Sequence, residues 1–459
     1  MSIKKSNGVT PTEVILADLC DRSFLKLWSY PNPIKDDKDE LCDLLVVFEN
    51  SIFIFFDREK YFETNDNTDI QIKWNRWQRR VIEDQIRTAN GAERYIRSNR
   101  PIFLDNDLST PFPFNINLEN IMTYKIIIAH GAMEACKNIS DKNLYGSLAI
   151  TYEDSNHSDL IKTNFLFHIT LDKNNPVHVF DSHNLPIIFN ELDTISDFKG
   201  YLDAKHQAIN SYKFLSYCGE EDLLAHYFLN FDTSLSKHYI GSSDKNVDGI
   251  LIGEGEWKDF SESAAYKRKK DADKISYLWD TIIQQTSENA LSNKLLGDST
   301  PLLGKSAIQE MAKEPRFSRR SLSEIIIKAI NNFPESSQPI MRYLTFMPSY
   351  YENKGYVFLQ LKFLNIIDYE NEYRPRRAKM LEIACGAAKN KFDHLKTIVG
   401  IAVDSPKYTK DNSDDHIFLD CSEWSEDDKQ YYEDLNKNFG FFQTPNMRSH
   451  HKNVSEFPE

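Results

Sequence analysis

Residues 40–60 read ELCDLLVVFENSIFIFFDREK. Two short apolar runs, Leu41–Phe48 and Ile52–Phe56, flank the turn-like Glu49-Asn50-Ser51. Runs of this length, rich in Val, Ile and Phe and bounded by turn residues, predict a hairpin of buried strands. Asp43 falls inside the first run, and the charged cluster Asp57-Arg58-Glu59-Lys60 closes the second. An aspartate in a buried strand is costly unless it is hydrogen-bonded or bound to a cation. A carboxylate on one strand facing acid and base on its neighbour is the layout of a hydrolytic Mg²⁺ site, where oxygen ligands surround the ion. The plainer alternative makes Asp43 a solvated strand entry and Asp57–Lys60 an exposed strand exit.

Upstream, Thr12 opens a predicted helix with Glu13 in its first turn, and Pro31 and Pro33 of SYPNP end it. Downstream, a polar stretch from Phe62 to Ile72 leaves room for a short third strand. Trp74–Arg97 then has the clearest helical period in the chain. At 100° per residue, Trp74, Trp77, Val81, Ala89, Ala92, Tyr95 and Ile96 share one side. Arg76, Arg80, Arg87 and Arg94 stack opposite, as a phosphate-binding row would, or as a solvated outer face would. Gln85 lies near the centre of the apolar side, where a polar group needs a partner. Further strands are expected at Tyr124–Ala129, Ser147–Tyr152, Asn164–Leu171 and Val177–Phe180, and helices at Leu185–Leu192 and Ser196–Tyr212.

The 459 residues, 41% of them hydrophobic, suffice for two or three cores. The expected division is an α/β domain over 1–236, a loop-rich and mainly helical region over 237–335, and a small α/β domain over 336–459. No apolar run reaches the length of a membrane span, and the first residues lack a secretory h-region. Six scattered cysteines form no CxxC pair, which fits a reducing, cytoplasmic setting. A net charge of −14 gives no general attraction to phosphate, so any nucleic-acid contact has to be a local basic patch. The histidines, His130 among them, show no metal-ligand spacing.

The order helix with an acid, strand with Asp, strand ending in a charged cluster, long helix, strand resembles the PD-(D/E)xK, or restriction-endonuclease-like, nucleases over about Thr12–Asp105. The whole chain also resembles bacterial proteins of unassigned function that share its SYPNP, ELCDLLVVF and GAER segments. The nuclease resemblance implies a three-layer α/β core and an Mg²⁺ (or Mn²⁺) ion held by Glu13, Asp43 and Asp57. It implies catalytic roles for Asp43, Asp57, Glu59, Lys60 and Gln85, and phosphodiester hydrolysis of DNA or RNA, with bacterial defence as the superfamily's setting. The departure is that no acid-x-Lys triplet stands here. Residues 56–58 are Phe-Asp-Arg, and alternation turns Asp57 and Glu59 to one side and Arg58 and Lys60 to the other. Arginine is a poor base because it stays protonated. A fold that has lost catalysis and serves as an interaction module is therefore the alternative reading.

A second motif competes. Met380–Asp404, MLEIACGAAKNKFDHLKTIVGIAVD, resembles the glycine-rich loop of S-adenosylmethionine methyltransferases. Against it, the apolar run before Cys385 is short, and Ala387 and Ala388 stand where glycines should admit the cofactor. The competing expectation is an amphipathic helix with Cys385 in a core. Lys267–Lys270 and Arg316–Arg320 are basic patches, and the tail after Asn438 reads as loosely held. Recognition of a substrate or partner, or oligomerisation, is the expected role of the later regions.

Overall fold

The computed structural model of the protein describes residues 11–23, 28–58, 60, 62, 68–113, 116, 118–139, 148–154, 165–244, 246–291, 301–363, 368–409, 413–443 and 454–459. They form two compact units of mixed α/β structure, one up to Tyr266 and one from Lys267 onward. Among the described residues, no helix is long and apolar enough to cross a membrane.

The first unit opens with α1 (Pro11–Ser23), followed by β1 (Ser29–Pro31), the short β2 (Ile34–Lys35), β3 (Leu44–Phe48) and β4 (Ser51–Asp57). The expected hairpin is present, with Leu44 opposite Phe55 and Phe48 opposite Ser51. Its two-residue turn places Glu49 at φ 52°, in the left-handed region. No third strand fills the Phe62–Ile72 stretch among its described residues, because α2 (Ile70–Gln78) begins there; residues 63–67 lie outside the description. Arg79–Glu83 forms one π-helical turn before α3 (Asp84–Arg97). That extra residue rotates everything beyond it by roughly 100° relative to a continuous helix. The arginines therefore fall into two pairs, Arg76 with Arg80 and Arg87 with Arg94, on different lines.

The chain continues through β5 (Ile102–Phe103), β6 (Met122–Ala129), α4 (Ala132–Ile139), β7 (Ala149–Glu153), β8 (His168–Asp172) and β9 (His178–Asp181). The main sheet has the order β1-β3-β4-β6-β9. Its first three strands form an antiparallel meander, and β4, β6 and β9 run parallel. One face, with Leu45, Val47, Ile52, Ile54 and Phe56, packs on Ala89, Ala92, Tyr95 and Ile96 of α3. The other face carries Phe53 and Phe55. These meet Phe189 of α5 (Leu185–Glu191) and Phe198 of α6 (Ile195–Ser211) at ring distances of 5.6–6.4 Å. The result is three layers, helix–sheet–helix.

A smaller sheet, β13-β10-β7-β8, adds β10 (Phe214–Tyr217) and, after α7 (Glu220–Leu229) and the β11 (Phe231–Asp232)–β12 (Lys237–His238) hairpin, β13 (Gly249–Ile252). Because β13 pairs with β10, the glycine-rich stretch 237–259 supplies a strand to the first unit and is not a boundary. Helix α8 (Glu256–Glu262) follows, and the units divide within α9 (Ala264–Asp273).

A fully buried ion pair joins α6 to α7. Lys205 Nζ lies 2.7 Å from both oxygens of Glu220, which also accept hydrogen bonds from Tyr201 and Tyr217 at 2.6 and 2.9 Å. Removing one charge strands the other, at a cost of about 3–5 kcal/mol. We therefore expect Glu220→Ala to lower the unfolding free energy in urea by about that amount. The double variant Lys205→Met/Glu220→Gln should recover most of it; a single variant as stable as wild type would contradict this.

The second unit packs α10 (Tyr277–Leu291), α11 (Pro301–Ala312) and α12 (Arg316–Asn331) with a four-stranded sheet. Its strands are β14 (Ile340–Pro348), β15 (Lys354–Phe363), β16 (Thr397–Asp404) and β17 (Asp414–Asp420), in that order, with α13 (Arg374–Lys391) crossing between β15 and β16 and α14 (Glu426–Asn436) after β17. The helices 277–331 thus belong with the C-terminal sheet and not to a separate middle region. The Arg316–Arg320 patch is structural: Arg316 and Arg319 both bind Asp280, at 2.7 and 2.6 Å, and are almost fully buried. Of the tail, residues 454–459 are held in place. Arg320 donates to the Ser455 and Glu456 carbonyls at 3.2 and 3.0 Å, and Arg268 to that of Pro458 at 2.8 Å.

Candidate functional site

Asp43 and Asp57, two of the groups singled out by sequence, meet at the end of the main sheet where β3 begins and β4 ends. Asp43 directly precedes β3 and is fixed by its backbone, donating to the Phe55 carbonyl at 3.1 Å and accepting from Asn32 N–H at 2.9 Å. Its Oδ2 accepts the backbone N–H of Asp57 at 2.5 Å. Asp57, the last residue of β4, is buried and its Oδ1 lies 2.5 Å from His130 Nε2. His130 follows the last residue of β6 and is itself 4% exposed. Trp77 Nε1 donates to the His130 and Lys60 carbonyls, both at 3.1 Å, and so ties together the loops that leave β4 and β6.

On the other flank, Glu13 in the first turn of α1 accepts from Asn32 Nδ2 at 3.1 Å. The same amide reaches Glu40 Oε1 at 2.6 Å. Asn32 has φ 49°, a conformation that asparagine tolerates better than most residues, and Pro33 follows it. SYPNP is not the end of the helix expected there: α1 is described to Ser23, Ser29–Pro31 form β1, and Asn32 places an amide between two carboxylates.

The electrostatics are one-sided. Burial pushes the Asp43 carboxyl up to about 8, and Glu40, Glu13 and Asp57 add to the rise, against the hydrogen bond from Asp57 N–H. Burial also raises Glu40; Glu13 adds to this while the Asn32 amide opposes it. Asp43 is therefore held mainly neutral at pH 7. Further along the same sheet end, burial raises Asp181, the last residue of β9, to about 6, with His130 opposing. Asp57, His130 and Asp181 stand at or just past the carboxyl ends of three adjacent parallel strands, the side on which open α/β sheets bind ligands.

Among the described residues, no set of three or more His, Cys, Asp or Glu side chains converges closely enough to hold a metal ion. The expected cage of Glu13, Asp43 and Asp57 is found instead as two linked pairs, Asp43 with Asp57 and Glu13 with Glu40. One oxygen of Asp43 and one of Asp57 are taken by an N–H and an imidazole; Oδ1 of Asp43 and Oδ2 of Asp57 carry no hydrogen bond among the described residues. Mg²⁺ can be held by one or two carboxylates with water completing its shell.

The other predicted residues lie as follows. Lys60 is exposed and tied by its backbone, while its ammonium makes no ion pair among the described residues; Arg58 is likewise exposed. Glu59 lies outside the described residues. Gln85 is buried on the inner face of α3, one turn before Ala89, and makes no hydrogen bond to Asp43 or Asp57. Arg76, Arg80 and Arg94 are exposed with no acid partner among the described residues, whereas Arg87 pairs with Asp84. Sequence reasoning missed Asn32, Glu40 and His130. The signal for His130 was its place directly after a predicted strand and before Gly131, which has φ 78°.

The Met380–Asp404 motif has a different structure. Gly386 lies inside the continuous helix α13, where an added Cβ would come 2.1 Å from the Tyr432 ring, and Cys385 is fully buried in the core. No cofactor loop is formed there. Asp404 is bound by Tyr369, Tyr373 and Arg377.

Comparisons with protein-family models, with curated proteins and with solved structures find no match to this chain.

The Asp43 shift sets a pH dependence. The folded carboxyl titrates near 8 and the unfolded one at about 3.9, so between these values the folded state binds more protons. Its stabilising contribution is complete below the unfolded value and is lost as pH rises through the folded one. In metal-free buffer, Asp43→Asn should therefore melt higher than wild type at pH 8.5, with the gap closing toward pH 5. Differential scanning calorimetry across that range checks it, and a pH-independent gap would refute it.

Proposed function

We propose that the first unit is an Mg²⁺-dependent phosphodiester hydrolase of the nuclease type, acting on DNA or RNA. The observation that carries the reading is Asp43: a partly buried carboxyl on which the acids Glu13, Glu40 and Asp57 all act, at the meeting point of two strands. Such a group is costly to ionise without a cation, and a divalent ion supplies the missing charge. The strand order β1-β3-β4-β6, an antiparallel meander followed by a parallel strand across α2–α3, further supports it.

In this account Asp43 and Asp57 offer their free oxygens to the ion. The ion, when bound, would polarise a phosphoryl oxygen and lower the pKa of a water. His130 fixes the orientation of the Asp57 carboxylate through Oδ1, as a histidine–carboxylate pair outside the ligand set does. Asn32 donates its side-chain amide to both Glu13 and Glu40 on the opposite flank. The exposed Lys60 favours a second reading, an interaction module that keeps the fold without hydrolysis, because no lysine enters the acid cluster among the described residues.

The two separate on one set of experiments. With 5–10 equivalents of Mg²⁺ or Mn²⁺, wild type should melt several degrees higher (about 1–2 kcal/mol of binding linkage at tens of Kd) and should nick plasmid or RNA. Asp43→Asn and Asp57→Asn should lose both effects. A metal shift without cleavage supports the second reading, and the absence of any shift removes the metal site.

A further inference from the structure

A cleft of about 460 Å³ runs between α3 and the β2–β5 corner of the first unit. One wall is the α3 face that bears Gly91 and Arg94; the other carries Lys35, Asp37, Glu40 and Arg100. Apolar lining is limited to Leu41, Ala92 and the Tyr95 ring, too little for an apolar ligand. Glu40 belongs to the acid cluster through Asn32, so one part of the cleft borders the candidate site.

The cations in the cleft are not equivalent. Arg100 is held by Asp36, with Nε 3.0 Å from Oδ2, and lies over the Tyr95 ring at 4.4 Å. Lys35 sits 3.5–3.6 Å from Asp37 and Asp39. Arg94 is exposed and has no acid partner among the described residues. A Cβ added at Gly91 would meet nothing closer than the Arg94 guanidinium, at 3.9 Å, so the wall beside Arg94 is open. The π-helical turn contributes by moving Arg94 off the line of Arg76 and Arg80.

From this cleft, its free guanidinium and its border with Glu40, we propose a binding site for the sugar–phosphate backbone of a nucleic-acid strand, with Arg94 contacting a phosphate next to the one attacked. The inference rests on the hydrolase reading above and adds the path by which substrate reaches that site. A planar guanidinium suits bidentate contact with phosphate oxygens, and a backbone contact positions a strand without reading its bases.

The test is fluorescence anisotropy on the full chain, with labelled single-stranded DNA and RNA of one sequence, in EDTA so that no cleavage occurs. Arg94→Glu should weaken binding about tenfold or more and reduce the salt slope by about one. Gly91→Leu, which leaves charge unchanged, should weaken it as well by filling the wall. Both variants should keep wild-type Mg²⁺ stabilisation, which shows that they fold with the metal site intact. Whichever of DNA and RNA binds more tightly identifies the substrate. Wild-type affinity in both variants overturns the inference, as does wild-type binding to neither strand. Weakened binding in the variants, in a protein that shows no metal shift, would retain the cleft and remove the hydrolase.

Discussion

The first unit is organised around a carboxyl group that its surroundings hold mainly protonated at pH 7. Asp43 is partly buried where one strand begins and another ends, takes the N–H of Asp57, and feels the acids Glu13, Glu40 and Asp57 among the described residues. A shielded carboxyl among acids lowers stability in its charged form. Every other feature of the site either holds this group or borders it.

The sheet does the holding. Antiparallel pairing of β3 and β4 fixes Asp43 against Asp57, and parallel pairing of β4 with β6 brings His130 to Asp57 from the next strand end. Trp77, from the helix that crosses between those strands, locks both loops with one indole N–H. The left-handed Asn32 then closes the opposite side. These contacts come from residues spread between positions 13 and 130, which makes the site a property of the topology and not of one segment.

That spread explains what the sequence made legible. The hairpin, the long helix and β6 were visible because each rests on a local period, of 2 or of 3.6, in residues close along the chain. Asp43 and Asp57 stood out as charges at the borders of apolar runs. His130 and Glu40 did not, since their roles depend on which strand end neighbours which, and periodicity carries no such information. The π-helical turn was equally hidden: Arg79–Glu83 has ordinary helix-forming residues, and the straight projection aligned four arginines that the structure separates. At Gly386 the helix reading prevails over the cofactor loop: the glycine lies inside α13, with Tyr432 packed directly over it. Arg316 and Arg319 read as a surface patch and are instead partners of Asp280, a residue some forty positions earlier.

The central claim is that Asp43 carries a proton which a divalent cation displaces. Calorimetric titration of Mg²⁺ at pH 7, repeated in buffers of different ionisation enthalpy, counts the protons released per ion bound. The account predicts release of about one proton in wild type and none in Asp43→Asn. Binding with no proton release in wild type, or the same release in both proteins, would contradict it.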